Sequence, residues 1–365
     1  MSNLTQLSER QAIGQFFFLG LPGPQCDAAT RDLLEEIQPG GVIVFARSVQ
    51  SAPQLRQLLD DVREILPRPP LVGIDQEGGL VDRLRRITTP LPTPKALRLN
   101  GNADNFRTLG RVTGEIMRLV GCNINFAPVL DFLDAEREKS QNGLQTRVLG
   151  YSPAEVIRNA EIYLDALQST GVLGCLKHFP GIGAGAVDAH EDLPSVNLDK
   201  EAMNALDLAP YAHFFANDKA RAVMVGHGYY PRLSPHDPPL PSSLDEYIVT
   251  DLLRAKMGFQ HLTISDDLEM GAINKHAAPA DAIVRAFQAG SDMVMICATP
   301  ELMRRGHAAL TDAVTSGAIS QDRLQASLSR IEAAQNAAAP PTAFDAARWQ
   351  DLADEIAILK QAVSP

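Results

Sequence analysis

Eight short apolar segments, each followed by a longer amphipathic stretch, predict an α/β fold, a (β/α)8 TIM-type barrel in a single domain with a C-terminal helical extension. Three observations carry this expectation. The apolar segments are rich in Val, Ile, Leu or Phe and bounded by Gly, Pro or Asp, as strands buried on both faces of a parallel sheet are. The stretches between them repeat apolar residues at helical spacing. The chain has 365 residues, enough for a barrel of roughly 250 with additions. An open doubly wound sheet shares the local pattern and is the alternative, but eight repeats favour closure.

The strand candidates are 15–20, 41–45, 71–74, 123–127, 172–176, 222–225, 261–265 and 292–296. Helical spacing is plain over 54–66 (Leu55, Leu58, Leu59, Val62, Leu66) and over 154–168 (Val156, Ala160, Tyr163, Leu164, Leu167). The third and fourth strands are joined by a long connection containing Thr89-Pro90-Leu91-Pro92-Thr93-Pro94, and 131–150 is polar and loop-like. Pro340-Pro341 ends the last barrel helix, dividing a barrel domain over 1–338 from an extension over 339–365 with a helix at 344–363. Trp349, on that helix, is expected to pack against the barrel rather than to serve as a stacking platform for a ligand.

Charge excludes some partners. With 33 basic against 44 acidic side chains the net charge is −11, and no long basic run is present, so neither nucleic acid nor a membrane surface is expected to bind. Cys26, Cys122, Cys175 and Cys297 show no CxxC spacing, and the last three lie in or beside apolar runs, which suits reduced thiols in a cytoplasmic protein. The patch Phe16-Phe17-Phe18-Leu19 is short and lacks the basic flank of a signal peptide, and no segment approaches membrane-spanning length. A monomer is the expectation, since no apolar repeat is evident.

Polar residues recur where the apolar runs stop: Arg47, Asp75, Asp131, Lys177, His178, His227 and Asp266. In a barrel these strand ends share one face, so the seven should converge on one cavity. Carboxylates, imidazoles and cations together suit a polyhydroxylated ligand, because a sugar hydroxyl donates to the first and accepts from the others. Each also has a plainer reading. Asp75 can cap a helix, and Glu77-Gly78-Gly79 can be only a tight turn. Asp131 can tie down the loop after it, and His227 can be a satisfied core histidine. One of Asp266 and Asp267 can cap the next helix, and His190 alone would be a surface histidine. Lys177-His178 is harder to explain away, since a lysine at a buried strand end needs a partner.

The runs Gly40-Gly41-Val42-Ile43-Val44-Phe45-Ala46-Arg47, Asp75-Gln76-Glu77-Gly78-Gly79, Asn125-Phe126-Ala127-Pro128-Val129-Leu130-Asp131, Lys177-His178-Phe179-Pro180-Gly181, Asp188-Ala189-His190 and Ser265-Asp266-Asp267-Leu268-Glu269-Met270 occur in this order. From about Gly14 to about Ile331 the chain resembles the family 3 glycoside hydrolases, in the branch of bacterial single-domain β-N-acetylhexosaminidases. The resemblance implies a retaining exo-acting hydrolase with Asp266 as nucleophile, His190 as general acid/base and Asp188 as its partner. It further implies that Asp75, Arg147, Lys177 and His178 bind the terminal sugar, with neither metal nor cofactor. The implied substrate is N-acetylglucosamine linked to anhydro-muramic acid, in peptidoglycan recycling. Two departures stand out. Arg147 lies in Thr146-Arg147-Val148-Leu149-Gly150, where the family has Gly-Arg-Ser-Phe-Gly. Ile182 replaces the second histidine of Lys-His-Phe-Pro-Gly-His-Gly.

Three other functions remain open on sequence alone. One is a β-glycosidase of different specificity. Another is a metal-dependent barrel hydrolase using His178, Asp188, His190, His227 and Asp266. The third is a sugar-binding protein that has lost catalysis, for which Ile182 is the only support.

Overall fold

The computed structural model describes residues 9–140 and 142–364. Eight parallel strands close into a barrel: β1 (Phe17–Gly20), β2 (Gly41–Val44), β3 (Leu71–Ile74), β6 (Ile124–Asn125), β7 (Leu173–Phe179), β8 (Ala222–Val225), β9 (Leu262–Asp267) and β10 (Met293–Ile296), with β10 pairing back onto β1. Strands β4 (Gln76–Gly78) and β5 (Val81–Asp82) form a separate antiparallel hairpin just beyond β3. All eight expected strands are present, 15–20 included, so the barrel replaces the open sheet.

Three strands differ from expectation, each for a local reason. Strand β6 has two residues where five were expected. Pro128 follows closely, and side-chain amides supplement the backbone bonds to β3: Asn123 Oδ1 accepts from Val72 N at 2.6 Å and Asn125 Oδ1 from Gln76 N at 3.0 Å, beside Asn123 N–H to Val72 O and Phe126 N–H to Ile74 O. Strand β7 runs on to Phe179, which puts Lys177 and His178 within the strand rather than after it. Strand β9 likewise includes Asp266 and Asp267. The β4–β5 hairpin was not expected. Gly78 (φ 109°) and Gly79 (φ 61°) supply the left-handed backbone at its turn.

The outer layer follows the helical spacing. Helix Ala52–Ile65 starts at a capping box between Ser51 and Gln54 and buries Leu55, Leu58, Leu59 and Val62. Helix Pro153–Gln168 buries Val156, Ala160, Tyr163, Leu164 and Leu167. The C-terminal helix, Ala346–Ala362, lies against helix Asp104–Val120 and buries Leu352, Ile356 and Leu359. Arg348 reaches Glu115 at 2.6 Å across that contact and Glu355 of its own helix at 2.9 Å, and Trp349 packs beside Phe344. At the start of β10, fully buried Asp292 meets Arg254 at 2.5 Å and Arg330 at 3.0 Å and accepts from Ser327 Oγ, closing the end of the barrel remote from the β3, β7 and β9 tips. No helix among the described residues is long and apolar enough to cross a membrane.

Candidate active site

A cavity of about 220 Å3 opens where β3, β7 and β9 end, the face on which barrels of this kind place their sites. Asp75, Arg147, Lys177, His178, His190 and Asp266 all line it. A larger groove, about 560 Å3, lies beside the C-terminal helix, but its Arg111 and Arg348 are already bound to Glu115 and Glu355. It offers no convergent free chemistry.

One wall is a network of buried charge. Lys177 Nζ sits 2.8 Å from Asp75 Oδ1 and 2.6 Å from Glu77 Oε1. Arg147 binds both oxygens of Glu77, at 2.8 and 2.9 Å, and its Nη2 lies 3.2 Å from His178 Nε2. Arg83 reaches Asp75 Oδ2 at 3.1 Å. Burial alone would raise the carboxyls of Asp75 and Glu77. The cations more than offset it, holding Asp75 far below the usual range and Glu77 at about 2. Burial alone would lower Lys177 and Arg147, but the same carboxylates raise both, so this wall stays charged.

His178 Nδ1 donates to Asp131 at 2.9 Å, consistent with Nε2 accepting from Arg147. Asp131 also accepts from the backbone N–H groups of His178, Ile182 and Gly183. It is therefore the anchor of the loop after β7 and does not line the cavity, the plainer of its two readings. Two further expected members are corrected. His227 is buried, with Nδ1 2.8 Å from Ser243 Oγ and Nε2 2.9 Å from the Asp267 carbonyl, so no ring nitrogen is left for a substrate. Arg47 is exposed and donates to the carbonyls of Leu21 and Cys297, outside the lining.

The opposing groups come from β9 and from the loop after β7. Burial would raise the Asp266 carboxyl. His227, His178, the Asp267 N–H and Lys177 together hold it below its ordinary value, so it is an anion. His190 Nδ1 is 2.8 Å from Asp188 Oδ1, which also accepts from the His190 N–H at 2.9 Å, leaving Nε2 without a hydrogen-bond partner among the described residues. Burial would raise Asp188, yet these bonds, the imidazole and Arg147 lower it. The loop docks on the turn after β9: Gly271 N–H donates to the His190 carbonyl at 3.2 Å and Ala272 N–H to that of Ala189 at 3.1 Å. Ile182 is buried in the core cluster with Phe179 and Val225 and does not line the cavity.

Sequence reasoning missed Arg83 and undervalued Glu77. Both are brought round by the β4–β5 hairpin, and the paired glycines were the signal for it. It also left Asp267 as a cap candidate, whereas Asp267 lines the cavity with Met224, Met270, Met295 and Cys297. Of the residues a metal reading would use, His178 spends Nδ1 on Asp131 and His227 spends both ring nitrogens on Ser243 and the Asp267 carbonyl, and among the described residues no three or more His, Cys, Asp or Glu side chains are grouped to hold an ion.

Comparison with known proteins agrees with this geometry. The family model described as "Glycosyl hydrolase family 3 N terminal domain" matches residues 3–334. A β-hexosaminidase of Alkalilimnicola ehrlichii is 34% identical over 291 residues, spanning 78% of this chain and 80% of its own length. A β-hexosaminidase of Xanthomonas oryzae pv. oryzae is 30% identical over 329 residues, covering 84% and 94%. A glycoside hydrolase family 3 β-N-acetylglucosaminidase from Paenibacillus sp. superposes with a TM-score of 0.88 at 30% identity, covering 97% of this chain and 69% of that one. With its catalytic-face cavity set in a closed barrel and nearly its whole length matched, the chain belongs to glycosyl hydrolase family 3.

Proposed function

We propose that this protein is a retaining, exo-acting β-N-acetylhexosaminidase in which Asp266 is the nucleophile, His190 the general acid/base and Asp188 the residue that orients it. One observation carries the reading: an anionic carboxylate and an imidazole with a free Nε2 line one cavity, beside a charged wall suited to sugar hydroxyls. The named relatives support the N-acetylhexosamine specificity. The cavity volume, below the roughly 300–1,000 Å3 of drug-sized ligand pockets, suits a single terminal sugar.

In the first step Asp266 attacks the anomeric carbon as the bond to the leaving oxygen breaks, and His190 Nε2–H gives that oxygen its proton. In the second, His190 takes a proton from water, the water oxygen bonds to the anomeric carbon and the Asp266 ester bond breaks. Asp188 stabilises the imidazolium and fixes Nε2 toward the cavity, as a carboxylate does in other acid/base dyads. Asp75, Lys177, Arg83, Arg147 and His178 hold the hydroxyls. Their mutual bonds fix them before substrate arrives, so little reorganisation is needed in the transition state.

The test is hydrolysis of 4-nitrophenyl N-acetyl-β-D-glucosaminide, with the product anomer read by NMR and the intermediate trapped with a fluorinated sugar. Expected results are a β product, label on Asp266 and loss of at least about 10³-fold activity in Asp266→Asn. Label on another residue, or an active Asp266→Asn, would contradict the assignment. The physiological part of the proposal, removal of N-acetylglucosamine from anhydro-muropeptides in the cytoplasm, rests on the family resemblance. It is tested by release of the sugar from those fragments.

A further inference from the structure

We propose that Asp267, with Met270, Met295 and Cys297 beside it, is the specificity-determining seat for the 2-acetamido group of the sugar, its carboxyl hydrogen-bonding the amide carbonyl. The inference deepens the hexosaminidase reading above and rests on it.

Geometry comes first. Successive residues of a strand point to opposite faces, so Asp266 and Asp267 should not share a cavity. They do share one, because the pairing of β9 with β10 slips: Met293 is opposite Ile264, while Met295 is opposite Asp267. Three steps along β9 match two along β10. Such a bulge re-aims a side chain, as bulges beside active sites do. C2 of a pyranose, which carries the acetamido group, is bonded directly to the carbon that Asp266 attacks, so the side chain next to the nucleophile is placed to meet that group.

The lining is also two-sided. Asp75, Arg83, Arg147, Lys177 and His178 make one wall predominantly charged, with Phe45 packed against Arg83. Around Asp267 the lining is thioether and thiol, a surface suited to an amide methyl. An N-acetylhexosamine is two-sided in the same way, with hydroxyls along one edge and one amide bearing a methyl.

Asp267 differs from Asp75, Glu77 and Asp188 in its partners. Oδ1 accepts from the N–H groups of Glu269 at 3.1 Å and Cys297 at 3.2 Å, and no cation among the described residues pairs with it. Burial pushes its carboxyl up to about 7, and the anions Glu269 and Asp266 add to the rise. It can therefore keep a proton where its neighbour keeps a charge. A carboxylic acid donates to an amide oxygen, which a carboxylate cannot do, and leaves Asp266 as the anion at the reacting carbon.

The test compares kcat/KM for 4-nitrophenyl N-acetyl-β-D-glucosaminide and 4-nitrophenyl β-D-glucopyranoside on one preparation, so that the folded fraction cancels in the ratio. In Asp267→Ala the preference for the N-acetyl substrate should fall about tenfold or more, and Asp267→Asn, whose amide can still donate, should recover most of it. A wild-type ratio in Asp267→Ala, or no recovery in Asp267→Asn, overturns the proposal while leaving the hexosaminidase reading intact. A wild-type enzyme with no preference for the N-acetyl substrate overturns both.

Discussion

The Lys177 side chain is 3% exposed and bridges two carboxylates, whereas the His190 side chain, lining the same cavity, is 71% exposed and pairs with one. The charged wall is carried by strand tips and a hairpin and is cross-linked in three dimensions. The histidine rides on a loop anchored at its root by Asp131 and at its tip by two backbone bonds. The contrast assigns work. Groups that must recognise a fixed pattern of hydroxyls are rigid and desolvated, where their bonds are strongest. In the proposed mechanism the group that handles protons is reachable by water and by a leaving group of variable size, and it can shift as substrate enters and product leaves.

The largest expected effect comes from breaking the wall. Lys177→Met leaves Asp75 and Glu77 buried with one cation fewer, and removing one partner from a buried pair costs about 3–5 kcal/mol. Chemical denaturation should show that loss together with loss of activity. Unchanged stability would mean the network is looser than its distances imply.

His190→Ala should separate the two regions. Its exposed ring contributes little to folding, so stability should stay within about 0.5 kcal/mol. Turnover should fall about 10²–10⁴-fold, less for 4-nitrophenyl substrates, whose leaving group needs little protonation, than for sugar aglycones. Equal losses on both substrates would argue against an acid role.

How much of this could be read from the chain differs between the two regions. The barrel was legible because buried parallel strands impose continuous apolar runs and helices impose their spacing. Lys177 and Asp266 were legible because charge at the end of such a run demands a reason. Side-chain direction was not legible. His227 and Arg47 end apolar runs just as His178 does, yet His227 spends both nitrogens on Ser243 and the Asp267 carbonyl, and Arg47 turns to backbone carbonyls. The bulge that turns Asp267 inward depends on register with β10, and register is a property of two segments, not of one. Arg83 needed a hairpin whose turn glycines resemble any other tight turn.

Acid should act on the wall and not on Asp267. Asp75, Glu77, Asp131, Asp188 and Asp266 are held below their ordinary values, so below about pH 4.5 the unfolded chain takes up protons first. Their stabilisation is complete above that pH and is lost as pH falls through the folded values. Asp267 runs the other way, since the folded state keeps its proton up to about 7 and stability declines between about pH 4 and 7 on its account. The difference in stability between wild type and Asp267→Asn should therefore change across that window, by at most about 1.4 kcal/mol per pH unit, and be flat below it. A difference flat across the window would place Asp267 in water.

The smallest effect concerns what holds the His190 loop. Asp192 faces Lys275 at 3.1 Å and His276 at 3.5 Å, which suggests a clasp between the loop and the segment after β9. Both Asp192 and Lys275 are at least half exposed, and pairs of that kind are worth about 0–1 kcal/mol. The backbone bonds from Gly271 and Ala272 lie closer in, and a side chain at Gly271 would put its Cβ 2.5 Å from the Glu191 carbonyl oxygen and 2.6 Å from that of His190. Asp192→Ala should therefore change kcat by less than about fivefold, the equivalent of 1 kcal/mol. Gly271→Ala should reduce kcat more, by lifting the loop that presents the imidazole. If the order were reversed, the clasp would be the true tether, and the exposed region would owe its placement to charge after all.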